Sequence, residues 1–199
     1  MGFTLYGGTA IALQLGHRQS VDFDLFTDRN LSESAILREM PFLNLAQVIQ
    51  ASNNTLTMTY PVNKEQVKIS MFGGITFGRV GTPLIANGNE LPVASLDDLM
   101  STKLKVILQR AEKKDYMDIA EMIRSGVSLE KGIGSACSMF GKTFPPKDCL
   151  AALTYFKDGD LETLSKKDME TLLRQSSKVK EVHPQKIISK VLGVSEQKN

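Results

Sequence analysis

The sequence has little that points to a membrane or to an oxidising compartment. It contains no run of roughly eighteen apolar residues, so no membrane-spanning helix is predicted. It also lacks an N-terminal basic segment followed by an apolar run, which is the pattern of a secretory signal. Its two cysteines, Cys137 and Cys149, are not spaced as metal ligands and are expected to be reduced thiols or small buried hydrophobic residues. These absences predict a cytoplasmic protein.

Histidine and net charge are also sparse. The two histidines, His17 and His183, are far apart and do not suggest a zinc site, and the formal net charge is +2. Cationic residues nevertheless concentrate in the last part of the chain. They are Lys166, Lys167, Arg174, Lys178, Lys180, Lys186 and Lys190. This basic tail fits either contact with nucleic-acid phosphates or an ordinary solvated helical surface.

The pattern of the chain changes near residue 94. Glycines and short β-rich runs precede this point, and helical periodicity follows it. We therefore predict an α+β protein in which a mixed sheet with helices (1–94) is followed by an α-helical C-terminal lobe (95–199). Predicted strands lie at 21–26, 55–61 and 66–72. Predicted helices lie at 9–15, 30–39, 96–111, 115–124, 128–140, 147–157, 166–178 and 184–192.

A glycine-rich turn opens the first predicted helix. Gly7 and Gly8 allow backbone N–H groups to approach a ligand closely, and Thr9 is expected to cap the helix that Gly16 ends. The N-terminus of a helix attracts phosphate through its free N–H groups and its dipole. The same three residues also fit a tight turn with a threonine cap and no ligand.

Two carboxylates share one face of the first predicted strand. Asp22 and Asp24 are separated by one residue, so their side chains project side by side. Such a pair resists double ionisation unless a cation lies between them, and oxygen ligands suit Mg²⁺. A polar strand face turned to water is the alternative.

The helix predicted at 96–111 carries two cations inside its apolar stripe. Lys103 and Arg110 need a partner or a ligand there, unless their side chains extend along the stripe to water. On the next helix, Asp115 and Asp118 are neighbours one turn apart. Asp115 is also placed to cap that helix, whereas Asp118 lies within it.

Two segments of the chain resemble the motifs of a known family. The stretch GGTAIALQLGHRQSVDFDLF is similar to the opening motif of the AbiEii/AbiGii nucleotidyltransferase toxins, within the DNA polymerase β-like nucleotidyltransferase superfamily. The stretch KLKVILQRAEKKDYMDI is similar to their helical Lys…Arg…Lys-Asp…Asp motif. The resemblance runs from residue 5 to about residue 125. It implies a polymerase-β-like fold and transfer of a nucleoside monophosphate from an NTP, with pyrophosphate as the leaving group.

The resemblance also implies roles for individual residues. Gly7, Gly8 and Thr9 would hold the triphosphate, with Arg18, Ser20 and Arg110 as further phosphate or metal-shell contacts. Asp22 and Asp24 would bind Mg²⁺, Lys103 would contact phosphates, and Asp115 or Asp118 would complete the site from the helical side. The implied partners are an NTP, a tRNA or protein acceptor, and an antitoxin protein.

The sequence departs from the superfamily pattern at one position. These enzymes usually carry a third carboxylate on a neighbouring strand, and the matching position here is Ser70. Serine is a poor Mg²⁺ ligand and a poor base. Either Asp115 or Asp118 supplies the missing group, or the enzyme works with one metal and a weakly activated acceptor, or the fold binds nucleotide without transferring it.

Three functions are compatible with these residues. The first is a Mg²⁺-dependent nucleotidyltransferase resembling the toxin of a type IV toxin–antitoxin pair. The second is a weak or inactive nucleotide-binding protein of the same fold, which Ser70 favours. The third is an antibiotic-modifying nucleotidyltransferase, which ranks last because an acidic cluster for an aminocyclitol is not evident.

Overall fold

The computed structural model describes residues 2–63, 65–85 and 91–194. These residues form five strands and seven α-helices, which confirms the predicted α+β class. The strands are β1 (Thr4–Tyr6), β2 (Phe23–Phe26), β3 (Gln47–Ser52), β4 (Thr55–Val62) and β5 (Glu65–Phe72). The helices are α1 (Gly7–Leu15), α2 (Glu33–Glu39), α3 (Leu96–Val106), α4 (Lys113–Arg124), α5 (Leu129–Phe140), α6 (Pro146–Ala152) and α7 (Lys166–Ser176). Within the described ranges, every helix is too short or too polar to cross a membrane.

Strands β2 and β5, which carry Asp24 and Ser70, lie side by side in the sheet. The strand order is β1-β2-β5-β4-β3, with β2 and β5 parallel and the other neighbours antiparallel. Alternation in β4 and β5 buries Leu56, Met58 and Met71. The edge strand β3 was not predicted, because all six of its residues are exposed and no buried face gives it a period of two.

The helices complete the same hydrophobic core. Ser95 caps α3, since its Oγ accepts from the N–H of Asp98 at 3.2 Å. Helix α4 buries Tyr116, Ile119 and Met122 against α1, α3 and α7. One contiguous core joins these helices to the sheet. The predicted division into lobes at residue 94 stays a prediction.

The first helix begins earlier than expected. It starts at Gly7, so Thr9 lies inside it and the prediction that Thr9 caps the helix is wrong. Tyr6 occupies the cap position, and its side chain makes no capping hydrogen bond. Gly16 ends the helix as predicted, with φ = 63° and its N–H bonded to the carbonyl of Ala12.

The predicted helix at 184–192 is wrong, because the backbone of this segment forms hydrogen bonds with distant residues rather than the local ones of a helix. The backbone of Arg79 bonds Ile188 and Ser189 at 2.9 Å, and its guanidinium donates to the carbonyl of Val191 at 3.0 Å. The N–H of Gln185 bonds the carbonyl of Gly134 in α5. The predicted ends at 111 and 157 are also too late, since α3 and α6 stop at Val106 and Ala152.

Candidate active site

The start of α1 is joined to the segment that leads into β2. The Thr9 hydroxyl donates to the main-chain carbonyl of Asp22 and lies 2.9 Å from Ser20 Oγ. The first N–H groups of a helix have no partners within it, and the side chain of the cap residue Tyr6 makes no hydrogen bond to them. The glycine-rich turn and the acidic strand, which are separate in the sequence, therefore meet at one place.

Gly7 makes room for Asp24. Its φ is +71°, a backbone conformation that favours glycine, and a Cβ at this position would lie 2.1 Å from Asp24 Oδ2. A Cβ at Gly8 would instead meet the guanidinium end of Arg18, at 2.2 Å from Nη2. The two glycines thus permit close approach to a carboxylate and to a cation, respectively.

The Gly7→Ala variant is expected to displace the Asp24 carboxylate and to destabilise the protein by about 1–3 kcal/mol, because the alanine is strained as well as crowded. Mg²⁺-dependent nucleotide binding should weaken with it, as measured by titration calorimetry. Gly16→Ala is the matched control, because φ at Gly16 is also positive but a Cβ there would meet no atom within 4 Å. Equal losses of nucleotide binding in the two variants would contradict the role assigned to Gly7.

The paired carboxylates differ in their surroundings. Asp22 lies just before β2 and is half-exposed. It forms an ion pair with Lys68, whose Nζ is 3.2 Å from Asp22 Oδ2. Asp24 lies within β2, and its carboxylate has no hydrogen bond or ion pair to any residue the structure describes. Burial raises the pKa of Asp24 above its usual range, with Lys68 and Lys103 opposing this effect. Asp24 is therefore a largely desolvated carboxylate with cations nearby but no direct ion-pair partner among the described residues.

Ser70 lies directly opposite Asp24. The parallel register of β2 and β5 pairs these two residues, and Ser70 is only 5% exposed. The serine thus occupies the neighbouring-strand position at which the family resemblance implies a third carboxylate.

Lys103 lies between two buried aspartates on α4. Its Nζ is 2.6 Å from Asp115 Oδ1 and 2.8 Å from Asp118 Oδ2, and neither carboxylate is exposed. Arg110 donates to both oxygens of Asp115 at 2.8 and 3.3 Å. Arg18 binds Asp118 in the same two-pronged way, at 2.7 and 3.0 Å. These five residues form one ion network around two buried carboxylates, with the Arg110 side chain 45% exposed at its edge, and we call it the buried ion network.

His17 extends this network at its other edge. Its Nε2 lies 2.7 Å from Asp118 Oδ1, and its buried Nδ1 has no hydrogen-bond partner among the described residues. The sequence did not single out His17 as a site residue, because only the fold brings it next to a helix about a hundred residues away.

The network lowers the pKa of both buried carboxyls. Burial alone would raise the pKa of Asp115, but the hydrogen bonds and charges of Arg110 and Lys103 bring it below its ordinary value. Arg18 and Lys103 have the same net effect on the pKa of Asp118. Asp118 in turn raises the pKa of Arg18, and Asp115 raises that of Arg110. Both aspartates and both arginines are therefore charged near neutral pH.

Stability is expected to fall in acid because of Asp115 and Asp118. A carboxyl with a depressed folded-state pKa contributes stability above its unfolded pKa, about 3.9, and loses it as the pH falls through the folded value. Each group adds a slope of up to about 1.4 kcal/mol per pH unit below about pH 4. Asp24, whose pKa is raised, acts in the opposite direction. Urea unfolding followed by circular dichroism between pH 5 and pH 2 measures the slope, and a flat profile would contradict this account.

A cleft of about 400 Å³ opens over these groups. Its lining residues are Gly8, Arg18, Gln19, Ser20, Val21, Asp22, Asp24, Lys68, Lys103, Arg110 and Lys114. Five of these side chains are cationic and two are acidic, so the lining favours an anionic ligand. Part of that positive charge is already balanced by the two buried aspartates behind the cleft. A bound metal cation would therefore assist the binding of a highly charged anion.

The structure brings most of the predicted site residues together. Seven of them line the cleft, namely Gly8, Arg18, Ser20, Asp22, Asp24, Lys103 and Arg110. Gly7 and Thr9 support it from α1. Asp115 and Asp118 lie behind it, where they hold the cations rather than face the open space. Their predicted catalytic role, like that of the other site residues, stays a prediction.

Lys68 and Lys114 are lining residues that were not predicted as site residues. Lys68 could have been predicted from the sequence, because the alternation of β5 places it on the same strand face as Ser70. No comparable signal marks Lys114, whose position at the start of α4 matters only after the helices are packed.

The residues present fit a magnesium ion. Asp22 and Asp24 are the two carboxylates in the cleft, and no cluster of three or more His, Cys, Asp or Glu residues occurs in the described parts of the chain. Mg²⁺ is commonly held by one or two carboxylates, with waters and substrate phosphates as its other ligands.

Comparison with known proteins gives the same assignment as the motifs. A family model described as nucleotidyl transferase AbiEii toxin, type IV TA system, matches residues 2–182. An uncharacterized protein of Aquifex aeolicus (strain VF5) is 31% identical over 129 residues, which cover 61% of this chain. The chain spans only 58% of that relative's length. The five-stranded mixed sheet and its helices confirm the polymerase-β-like fold expected for this family. The chain belongs to the AbiEii family of nucleotidyl transferase toxins of type IV toxin–antitoxin systems.

Proposed function

We propose that this protein is a Mg²⁺-dependent nucleotidyltransferase that moves a nucleoside monophosphate from an NTP to an RNA acceptor such as tRNA or to a protein. In this proposal it is the toxin of a type IV pair and has an antitoxin partner. The observation that carries the proposal is the cleft, where a glycine-rich helix start, two carboxylates and five cations converge. Family membership supports the same chemistry.

Backbone groups and cationic side chains of the cleft both bind the triphosphate in this proposal. The free N–H groups at the start of α1 bind phosphate oxygens, and Gly8 lets the backbone come close to them. Lys103 and Arg110 place their charges on the same ligand from α3 and the turn after it, and Arg18 does so from the loop between α1 and β2. Asp115 and Asp118 act as positioning residues, because they fix these three cations through the buried network.

The reaction exchanges one bond at the α-phosphorus for another. The acceptor oxygen attacks the α-phosphorus, and the bond to the bridging oxygen breaks so that pyrophosphate leaves with the electron pair. Asp22 and Asp24 would hold Mg²⁺, which supplies charge neutralisation at the α-phosphate. Arg18 and Lys103 stabilise charge on the leaving group, and the acceptor proton passes to a base or to water.

Ser70 favours a second candidate, a nucleotide-binding protein with weak or no transfer activity. It is buried opposite Asp24, where a carboxylate would help to activate the acceptor. Loss of one catalytic base costs on the order of 10²–10⁴-fold in rate. The retained carboxylates and cations of the cleft argue for activity, since a protein without catalysis has no need of the complete set.

Label transfer tests the first candidate. The four α-³²P-labelled NTPs are incubated with the protein and Mg²⁺, in the presence of total RNA or total protein. Label in one fraction identifies the acceptor class, and the exposed cations of the C-terminal region lead us to expect RNA. NTP binding without label in either fraction supports the second candidate, and absence of NTP binding contradicts both.

The Ser70→Asp variant is expected to raise the transfer rate by about 10²-fold or more if acceptor activation limits the reaction. The new carboxylate would lie opposite Asp24 and increase local negative charge, so Mg²⁺ should also bind more tightly. Initial rates and Mg²⁺ titrations of the two proteins measure both effects. A rate that stays the same or falls would show that another group activates the acceptor.

A further inference from the structure

A second compartment of about 240 Å³ adjoins the cleft. The two spaces share Asp24, Lys103 and Arg110, so they meet at the carboxylate assigned to the metal. We call the second space the aromatic pocket and define it by Tyr6, Phe26, Phe72, Thr102, Val106 and Gln109.

Rigid aromatic rings form one wall of this pocket. Phe26 and Phe72 are direct partners in the β2–β5 register, and their ring centroids are 5.2 Å apart in an edge-to-face arrangement. Tyr6 stacks on Phe26 with a centroid distance of 4.7 Å and an interplanar angle of 13°. Because these contacts hold the rings in place, a planar ligand would meet a preformed surface.

The wall formed by α3 and the turn after it carries unused hydrogen-bonding capacity. Val106 ends α3, and Gln109 follows in the exposed turn. The side-chain amide of Gln109 offers donors and an acceptor, and it has no hydrogen bond to any residue the structure describes. The charged residues of the pocket are the three that it shares with the cleft.

We propose that the aromatic pocket binds a nucleobase, with Gln109 contacting the base edge. This inference rests on the proposed function, which places the α-phosphate at Asp24. Phe26 lies two residues beyond Asp24 on the same face of β2, about 7 Å along the strand. A base linked through its sugar to the reacting centre would reach the rings at this distance. The base belongs either to the NTP or to the end of an RNA acceptor, because both meet at the α-phosphate.

Binding measurements on three pocket variants test the proposal. Phe72→Leu removes a stacking surface, Gln109→Ala removes the edge contact, and Val106→Phe fills the space from the helix side. The probes are ATP, GTP, CTP and UTP with Mg²⁺, tripolyphosphate as a triphosphate without a base, and single-stranded RNA hexamers that differ in their 3′ base. Stacking on an aromatic side chain contributes enough that its loss should weaken binding at least about fivefold.

Matched controls lie away from the aromatic pocket, in the short 3-10 helix before β3 and on β3 itself. Phe42→Leu alters a partly exposed ring, and Gln47→Ala alters an exposed glutamine of β3. If the base is that of the NTP, the wild type prefers at least one NTP to tripolyphosphate, and the pocket variants lose this preference while still binding tripolyphosphate. If the base is that of the acceptor, NTP and tripolyphosphate bind equally in all proteins, and only the pocket variants lose hexamer binding.

Either of these results supports the pocket, and unchanged binding of both probe classes in all three pocket variants overturns it. Failure of nucleotide binding, on which both candidate functions depend, has a different signature, because the wild type would then bind neither tripolyphosphate nor any NTP. The hexamer measurements still decide the pocket in that case. Val106→Phe and Gln109→Ala keep the test decisive if Phe72→Leu does not fold.

Discussion

Asp24→Asn is expected to reduce nucleotidyl transfer by at least about 10²–10³-fold and to abolish the Mg²⁺ dependence of NTP binding. Asparagine keeps the shape of the side chain but removes the charge that a hard cation requires. The carboxylate lies between the start of α1 and Ser70, and no described cation forms an ion pair with it. Its charge therefore remains available to a metal ion.

Asp22→Asn should give a loss of the same order, because Asp22 shares the cleft with Asp24. Its ion pair with Lys68 is half-exposed and contributes little to stability. Initial rates of label transfer and calorimetric titrations with and without Mg²⁺ measure both variants. Circular dichroism must show an unchanged fold, and Asp148→Asn, on the exposed start of α6, is the matched control. Normal transfer by both variants would show that the metal assignment is wrong.

Lys103→Met is expected to lower the free energy of unfolding by about 3 kcal/mol and to remove most transfer activity. The substitution leaves Asp115 and Asp118 buried with one fewer cation. We expect the lower end of the usual range for a broken buried ion pair, because Arg110 and Arg18 still hold the two carboxylates. Urea unfolding at pH 7 measures the change.

Lys68→Met is the matched control for stability. Its ion pair with Asp22 is about half-exposed on both sides, so the expected change is below about 1 kcal/mol. A similarly small change for Lys103→Met would contradict the buried network as a source of stability. Transfer rates of the wild type and of Lys103→Met are compared under conditions where both proteins remain folded. This comparison separates the loss of phosphate contacts from the loss of fold.

The sequence predicts the elements that have one buried face. Asp22 and Asp24 were found because apolar residues alternate with them, and Lys103 and Arg110 because they interrupt an apolar stripe. The structure shows what a one-dimensional pattern omits. Asp115 and Asp118 on the next helix neutralise the charge of Lys103. The positive charge that the sequence of α3 suggests is therefore largely balanced within the protein.

The elements that were missed or wrong lack such a face or depend on distant partners. β3 is an exposed edge with no buried residue to set its period. The segment at 184–192 has the composition of a helix, but the loop around Arg79 captures its backbone hydrogen bonds. Thr9 has the chemistry of a cap, yet the helix begins at Gly7 because glycine alone fits beside Asp24 at this backbone angle.

The buried ion network also bears on the thermodynamics of substrate capture. Immobilising a free lysine or arginine side chain on binding costs roughly 0.5–1.5 kcal/mol in conformational entropy. Asp118 and Asp115 already hold Arg18, Lys103 and Arg110 in place before any phosphate arrives, so folding has already met most of that cost. The unfavourable entropy of ordering these side chains should therefore be small when a triphosphate binds.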